Sequence, residues 1–376
     1  MFTDSYLPEI NGVVMSITAY AQSLQARGHQ VTIVAPQAAR PAAACANVIR
    51  FASQAFPPYP GYRMAFPAPQ SARRAIDALE IDVVHPHSMF VTGAYGAWWA
   101  RRHGIPIVFT YHTLWTEYMH YSPVGMAIGQ WWALWSSRNF CNRSTRVITP
   151  TARIRDILIS YGVRTPIDVL PSGLSLAVAT AHAGRVAKLR GERAGAPGVL
   201  YAGRLGREKN LEYLVDAVQY ARRTLPALRI TIAGGGPFEA ALRDRIARAG
   251  LTDAVTFTGT IAQTDLADHY SANDAFIFAS TTETQGLVLL EAMAHGLPVV
   301  AYGSDVSREM VDGAGVVVEG PPAAFAQALC ALLGDDERRA AMGRQARARV
   351  LPLHTDRLVE GLEEIYFRAV EDARRR

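Results

Sequence analysis

Cysteine is nearly absent from this chain: Cys45, Cys141 and Cys330 lie far apart among 376 residues. That excludes a disulfide framework and any cysteine spacing for a metal or redox centre, leaving reduced, partly buried thiols in a cytoplasmic protein. No apolar run approaches the ~20 residues of a membrane-spanning helix. No basic stretch followed by an apolar core opens the sequence, so no secretory leader is read. There is no Asp-x-Asp pair to hold a metal–diphosphate. Gly234-Gly235-Gly236-Pro237 lacks the Gly-x-Gly-x-x-Gly spacing of a dinucleotide site, which argues against a nicotinamide-dependent dehydrogenase. Lysine is missing from the first 170 residues, where 14 arginines face 8 acidic residues for a surplus of +6, while the remainder nets −1. A half charged in this way is drawn to an anionic bilayer or a nucleic acid; chance scatter of surface residues gives the same count.

What is present is a strand–helix rhythm from end to end. With 49% hydrophobic and 19% charged residues, the chain has the composition of a packed globular protein, and its length suits two domains. In the first half the strand candidates are Val31–Ala35, Val48–Phe51, Asp82–His85, Pro106–Thr110, Arg146–Thr149 and Asp168–Leu170, with helices such as Val13–Arg27 and Thr151–Tyr161 between them. In the second half they are Val199–Ala202, Arg229–Ala233, Val255–Phe257, Ala275–Ala279, Pro298–Ala301 and Val316–Val318, separated by helices including Leu211–Arg223, Phe238–Ala249 and Leu287–His295. Such alternation builds parallel sheets with helices on both faces. Twelve strands exceed one ordinary doubly wound sheet, so two α/β domains facing a cleft are expected. The boundary is placed at Pro171-Ser172-Gly173, giving a first domain over residues 1–172 and a second domain over 173–353. The stretch from Leu174 to Pro197 reads as a linker with a short helix, and a charged helix, Thr355–Arg375, lies within the closing segment 354–376.

Four places carry chemistry. In Glu283-Thr-Gln-Gly286-Leu287-Val288-Leu-Leu-Glu291, Gly286 opens a helix whose N–H groups and positive dipole end suit a diphosphate. Glu283, just outside that helix, suits sugar hydroxyls, and Glu291, about two turns down it, suits a ribose diol; the bland alternative is a capping Glu and a buried Glu paired with Arg. In Gly203-Arg204-Leu-Gly-Arg-Glu-Lys209-Asn210, a loop between strand and helix, Arg204 and Lys209 suit a leaving diphosphate whose charge grows in the transition state; the alternative is a solvated basic loop. Gly12, in Asn11-Gly12-Val13, allows close approach to a helix N-terminus. His112, in Thr110-Tyr111-His112-Thr113, ends a strand, where ligands of open α/β sheets collect, or is a satisfied interior histidine. His85 and His87 alternate on one strand face, but no third metal ligand is evident near them in the sequence, so no metal site is assigned.

Taken together these residues resemble the retaining GT-B glycosyltransferases of family four, over nearly the whole chain. The Glu–x₇–Glu motif followed by Ala-Met-Ala-His-Gly-Leu-Pro-Val-Val, and the Gly-Arg-Leu…Glu-Lys-Asn loop, carry the resemblance. It implies two Rossmann-like doubly wound sheets, with the closing helix crossing back onto the first domain. Arg204 and Lys209 would bind the donor diphosphate. Glu283 and the backbone of Gly286, Leu287 and Val288 would hold sugar and phosphates, and Glu291 the ribose. Gly12 would sit by the phosphate and His112 beside the sugar. Pro171-Ser172-Gly173 is similar to the family's interdomain Pro-Asn-Gly turn, whereas Gly303–Asp312 departs from its Gly-Gly-x-Pro-Glu pattern.

A narrower resemblance, to diacylglycerol glucosyltransferases, rests on Thr282-Glu283-Thr284-Gln285-Gly286-Leu287 and on Tyr111-His112-Thr113-Leu114-Trp115-Thr116-Glu117-Tyr118-Met119-His120-Tyr121. It implies transfer of glucose from a UDP-sugar to a membrane lipid. The nucleotide-sugar is then a co-substrate and no cofactor is expected. All six tryptophans, Trp98, Trp99, Trp115, Trp131, Trp132 and Trp135, fall between residues 98 and 135, beside Arg101, Arg102, Arg138 and Arg143. Trp favours the bilayer interface and Arg anionic headgroups, so the first domain is read as attaching to the inner face of the cell membrane; the alternative is that the rings fill its core. The remaining rivals are a polysaccharide-building or GDP-mannose-dependent transferase, which shares every donor motif, and a non-catalytic sugar-binding module. Nucleic acid is suggested only by net charge and is not expected as a partner. Finally, Met1-Phe2-Thr3 reads as just the end of a strand, although the first strand of such a sheet is normally longer; a native start upstream is therefore expected. Intact-mass measurement on protein from its native source tests this, and a mass matching Met1 as first residue ends the idea.

Overall fold

Short apolar runs, many of them β-branched, form most of the strands, and the apolar-periodic stretches between them form helices. The computed structural model describes residues 1–9, 11–38, 47–55, 63–66, 68–117, 125–174 and 180–375. Cys45 and the segment Tyr118–Tyr121 lie outside that set. The chain divides into two compact units, Met1–Gly173 with Thr355–Arg376, and Leu174–His354.

In the first unit the strands are β1 (Ile33–Pro36), β2 (Val48–Phe51), β3 (Ser53–Ala55), β4 (Arg63–Ala65), β5 (Val108–Thr110), β6 (Arg146–Thr149) and β7 (Ile167–Val169). The helices are α1 (Gly12–Ala26), α2 (Gln70–Asp77), α3 (Val91–His103), α4 (Met126–Asn142) and α5 (Ala152–Ser160). β1 pairs with β2 and β5–β6–β7 pair in sequence, all parallel. Two thinner lanes join these pieces. Phe2 bridges Val34 on one side and Pro86 on the other, and Val84 bridges Ile107 beside β5. The expected strand Asp82–His85 is thus reduced to single bridges. Pro86 has no N–H to give, and the ladder continues only around it, by His87 N–H to the Phe2 carbonyl at 2.8 Å and Thr110 N–H to the Pro86 carbonyl at 3.1 Å. The resulting lane order, numbered along the chain, is 3-2-1-4-5-6-7. The short antiparallel pair β3–β4 was not anticipated from the strand–helix rhythm.

The second unit contains α6 (Ala183–Glu192), β8 (Gly198–Ala202), α7 (Leu211–Thr224), β9 (Arg229–Ala233), α8 (Glu239–Arg248), β10 (Val255–Gly259) and α9 (Gln263–Ala272). Next come β11 (Ala275–Phe278), α10 (Leu287–Ala294), β12 (Val299–Tyr302), α11 (Asp305–Val311), β13 (Gly315–Val318), α12 (Pro322–Leu333) and α13 (Asp336–Val350). One six-stranded parallel sheet runs β10-β9-β8-β11-β12-β13. Alternate residues of each strand serve opposite faces, as the two-residue period requires. Val199 and Tyr201 pack with α7, α8 and α12, while Leu200 and Ala202 pack with α10, α11 and α13. The last helix, α14 (Thr355–Arg374), returns to the first unit, where Val359, Leu362, Ile365 and Ala369 pack on Ile17, Tyr20 and Leu24 of α1. Arg146 ties it down by ion pairs to Asp168 at 2.8 Å and Asp372 at 2.7 Å.

The glycine run after β9 has a structural reason. Gly234 sits at φ +140°, and a Cβ there would lie 1.9 Å from the Gly203 carbonyl oxygen; one on Gly236 would lie 2.3 Å from that of Leu205. The run therefore packs backbone to backbone against the loop carrying Arg204. Gly234→Ala should destabilise the second unit by about 2 kcal/mol or more. Denaturant unfolding measures this, and an unchanged midpoint would contradict the close approach.

Candidate functional site

In the second unit, sheet order reverses between β8 and β11, the first and fourth strands of the unit. Loops at the carboxyl ends of such neighbours leave the sheet in opposite directions and open a crevice where ligands collect. Both strongest sequence motifs lie on these loops. After β8 the chain passes Gly203–Gly206, makes one 3₁₀ turn over Arg207–Lys209, and enters α7 through Asn210 at φ +54°. After β11 it passes Glu283 and enters α10 through Gly286 at φ +76°, with no side chain capping that N-terminus.

Lys209 Nζ donates to Glu283 Oε1 at 2.5 Å, with both side chains largely buried. The chain has only two lysines, Lys188 and Lys209, among 38 basic residues. Arg204 lies 3.4 Å from Glu208, whose carboxylate is buried and fills the space a Cβ on Gly206 would need. Tyr201 OH donates to the Arg204 carbonyl at 3.1 Å and fixes the loop from beneath. Glu208 was missed as a site residue in the sequence; its spacing of four from Arg204 was the available signal.

Glu291 needs correction. It is the fifth residue of α10, one turn in rather than two, because Gly286 itself is the cap. It is buried and accepts from Tyr270 OH at 2.9 Å and Gln263 Nε2 at 3.1 Å, so its partners are neutral rather than an arginine. Burial pushes its carboxyl up to about 7, and those two hydrogen bonds offset only part of the shift.

The first unit has its own reversal, between the lane of residues 1–3 and that of 84–87. Asn11 Oδ1 accepts from Val14 N–H at 3.0 Å and caps α1, leaving Gly12 exposed as the first helical residue. Asp4, buried, accepts from the Thr92 N–H at 3.0 Å and from the Ser88 hydroxyl, so it caps α3. His112 follows β5. The structure brings it to the pair His85 and His87: His87 Nδ1 and His112 Nε2 are 2.9 Å apart. A third imidazole thus stands where the sequence offered none. It meets His87 through a hydrogen bond, and no metal-holding group of three His, Cys, Asp or Glu occurs among the described residues.

His85 bonds Thr110 Oγ1 and Tyr366 OH, each at 2.7 Å. Burial lowers all three imidazoles, His112 to about 4, so they are neutral at pH 7. His87 Nε2 is buried without a partner among the described residues. An orphaned acceptor costs less than an orphaned N–H, which favours the proton on His87 Nδ1, donated to His112 Nε2. His112 then carries its own proton on Nδ1.

The tryptophans divide. Trp99 is buried, its Nε1 donating to Asp77 at 2.7 Å, and Trp115 packs edge-on to Phe90. Trp98, Trp131, Trp132 and Trp135 are exposed, Trp131 to 65%. α4 buries small residues at a spacing of four, Gly129, Ala133, Ser137 and Cys141, and turns Met126, Ile128, Trp131, Trp132, Leu134 and Trp135 outward.

Comparison with known proteins fits this geometry. A family model described as Glycosyltransferase Family 4 matches residues 10–178, and one described as Glycosyl transferases group 1 matches residues 188–349. The chain is 31% identical to an alpha-monoglucosyldiacylglycerol synthase of Streptococcus pneumoniae (83% of this chain, 72% of the relative), and 28% identical to one of Acholeplasma laidlawii (83% and 82%). Its fold is similar to that of sucrose-phosphate synthase from Thermosynechococcus elongatus (TM-score 0.80, 23% identity, 98% of this chain and 95% of that one). It is also similar to Anabaena Alr3699/HepE in complex with UDP and glucose (TM-score 0.76, 21%, 98% and 100%). The architecture is GT-B.

The shifted groups set opposite pH responses in the two units. Between pH 4.5 and about 7 the native Glu291 keeps a proton that the unfolded chain has released, so stability of the second unit falls as pH rises through that window. Glu291→Gln should abolish that fall. In the first unit His112 is deprotonated between about 4 and 6.5 where the unfolded chain is protonated, so stability falls as pH drops. Unfolding midpoints across pH 4.5–8 for both proteins check this; identical slopes would count against the Glu291 assignment.

Proposed function

We propose, for a chain that belongs to the family-four glycosyltransferases and is a hexosyltransferase, that it moves glucose from UDP-glucose to a membrane lipid of the diacylglycerol type, with retention at the anomeric carbon. The observation that carries this is the Lys209–Glu283 contact beside the uncapped N-terminus of α10, three residues before Gly286. An ammonium–carboxylate pair and, three residues after the carboxylate, a helix's positive end suit a sugar diphosphate.

In this reading the donor lies on the second unit. The diphosphate receives N–H groups of Gly286, Leu287 and Val288 and the charges of Arg204 and Lys209. Glu283 accepts from sugar hydroxyls while orienting Lys209, and Glu291 accepts from the ribose diol, held by Tyr270 and Gln263. The bond from the anomeric carbon to the phosphate oxygen breaks as the acceptor hydroxyl bonds to the same face. Its proton passes to the departing phosphate oxygen, so no protein nucleophile is needed. Within the first unit, Gly12 leaves the start of α1 open to a phosphate, and His112, neutral and oriented by His87, suits a hydrogen bond to a sugar hydroxyl. No metal is assigned a role.

The lipid acceptor is supported by the monoglucosyldiacylglycerol synthases among the relatives and by α4. A helix that hides its small residues and shows water its large ones suits an apolar medium, and indoles suit the bilayer interface. We place the protein peripherally on the inner face of the cell membrane.

Arg204→Ala should lower kcat about a hundredfold or more, the scale for losing a transition-state charge donor. Steady-state transfer kinetics measure this, and near-normal turnover contradicts the role. A screen of UDP- and GDP-sugars against diacylglycerol in detergent micelles and against soluble sugars tests the substrates. Transfer to soluble sugars alone, or from GDP-mannose alone, sinks the lipid glucosyltransferase reading in favour of a polysaccharide-type enzyme.

A further inference from the structure

A cleft of about 190 Å³ on the first unit is lined by residues of α3 and α4, with Arg101 from α3 and Trp132, Trp135, Asn139 and the C-cap Arg143 from α4. On α4 these positions fall at spacings of three and four, so they form one stripe beside the buried small residues. Neither Arg101 nor Arg143 has a carboxylate within ion-pair distance among the described residues, whereas Arg146, three positions beyond Arg143, binds two. The two guanidinium groups face a shared space, and burial together with the charge of Arg143 holds Arg101 below its ordinary value. Two like charges converging on one cleft repel unless an anion lies between them. Guanidinium pairs bind phosphate oxygens in a fixed fork geometry.

We propose that this cleft receives the phosphodiester of an anionic phospholipid, with Arg101 and Arg143 as donors. The choice of a lipid over a free anion comes from the rim. Trp132 and Trp135 line the cleft and are exposed, and Trp131, Met126 and Ile128 extend the same apolar surface. Such a surface places the arginines at the depth of the headgroups when the indoles lie in the interface. The inference rests on the membrane-surface reading above and makes it specific: attachment depends on one built phosphate site rather than on the first unit's overall charge.

Vesicle co-sedimentation tests it with the full chain. Wild type is expected to bind vesicles of phosphatidylcholine with phosphatidylglycerol more tightly than phosphatidylcholine alone. Arg101→Ala with Arg143→Ala should weaken binding to the anionic vesicles roughly tenfold or more. Arg338→Ala with Arg344→Ala, which removes the same charge from exposed positions of the second unit, should change it less than twofold. Thermal melts confirm that both pairs fold. Equal losses in the two double variants mean diffuse attraction and overturn the site. Equal wild-type binding to both vesicle types overturns the site but leaves membrane attachment standing; binding to neither sinks both. Release of bound protein by millimolar inorganic phosphate at constant ionic strength assigns the cleft to a free anion and overturns the lipid.

Discussion

The functional geometry depends on one topological constraint: in each sheet the lane order reverses beside the first strand. β8 and β11 are hydrogen-bonded neighbours, yet their connections leave for opposite ends of the sheet. No helix can cover the point between them, so two loops about 75 residues apart in sequence are held side by side. Lys209 and Glu283 meet because of this, and the helix end at Gly286 follows three residues later. The glycine run Gly234–Gly236 serves the same end by letting β9's loop support the loop of Arg204 without side chains between them.

The carboxylates here are set by their surroundings rather than by their type. Glu283 meets an ammonium, Glu208 a guanidinium, and Glu291 only neutral donors in a buried place. Burial without a countercharge raises Glu291 to about 7. His85, His87 and His112 of the first unit follow the same rule with the opposite sign. Packed against one another and away from water, they remain neutral at pH 7, so each is distinguished by its tautomer rather than by charge.

α4 is unusual because packing and solubility pull its sequence in different directions. Its small stripe lets it sit close against the first unit, while several large apolar side chains face outward. That arrangement costs free energy in water and regains it when the face is covered by an apolar medium. The cleft with Arg101 and Arg143 lies beside that face, so charged and apolar surface adjoin.

The sequence by itself determined the strand–helix rhythm, because side-chain periodicity is a local property of the backbone. Arg146–Thr149, Arg229–Ala233 and Val48–Phe51 are found as expected to the residue. It also determined that Gly286 begins a helix and that Glu283, Arg204 and Lys209 lie on loops after strands. It did not show the single-bridge lane at Val84, where Pro86 breaks the ladder, nor the pair β3–β4. Only the tertiary structure decided that Lys209 touches Glu283, that Glu291 faces Tyr270 and Gln263, and that His87 orients His112. It alone separated the buried Trp99 from its exposed neighbour Trp98. Those contacts join residues from distant parts of the chain, and which of them meet depends on sheet order and helix facing, quantities that no local pattern encodes.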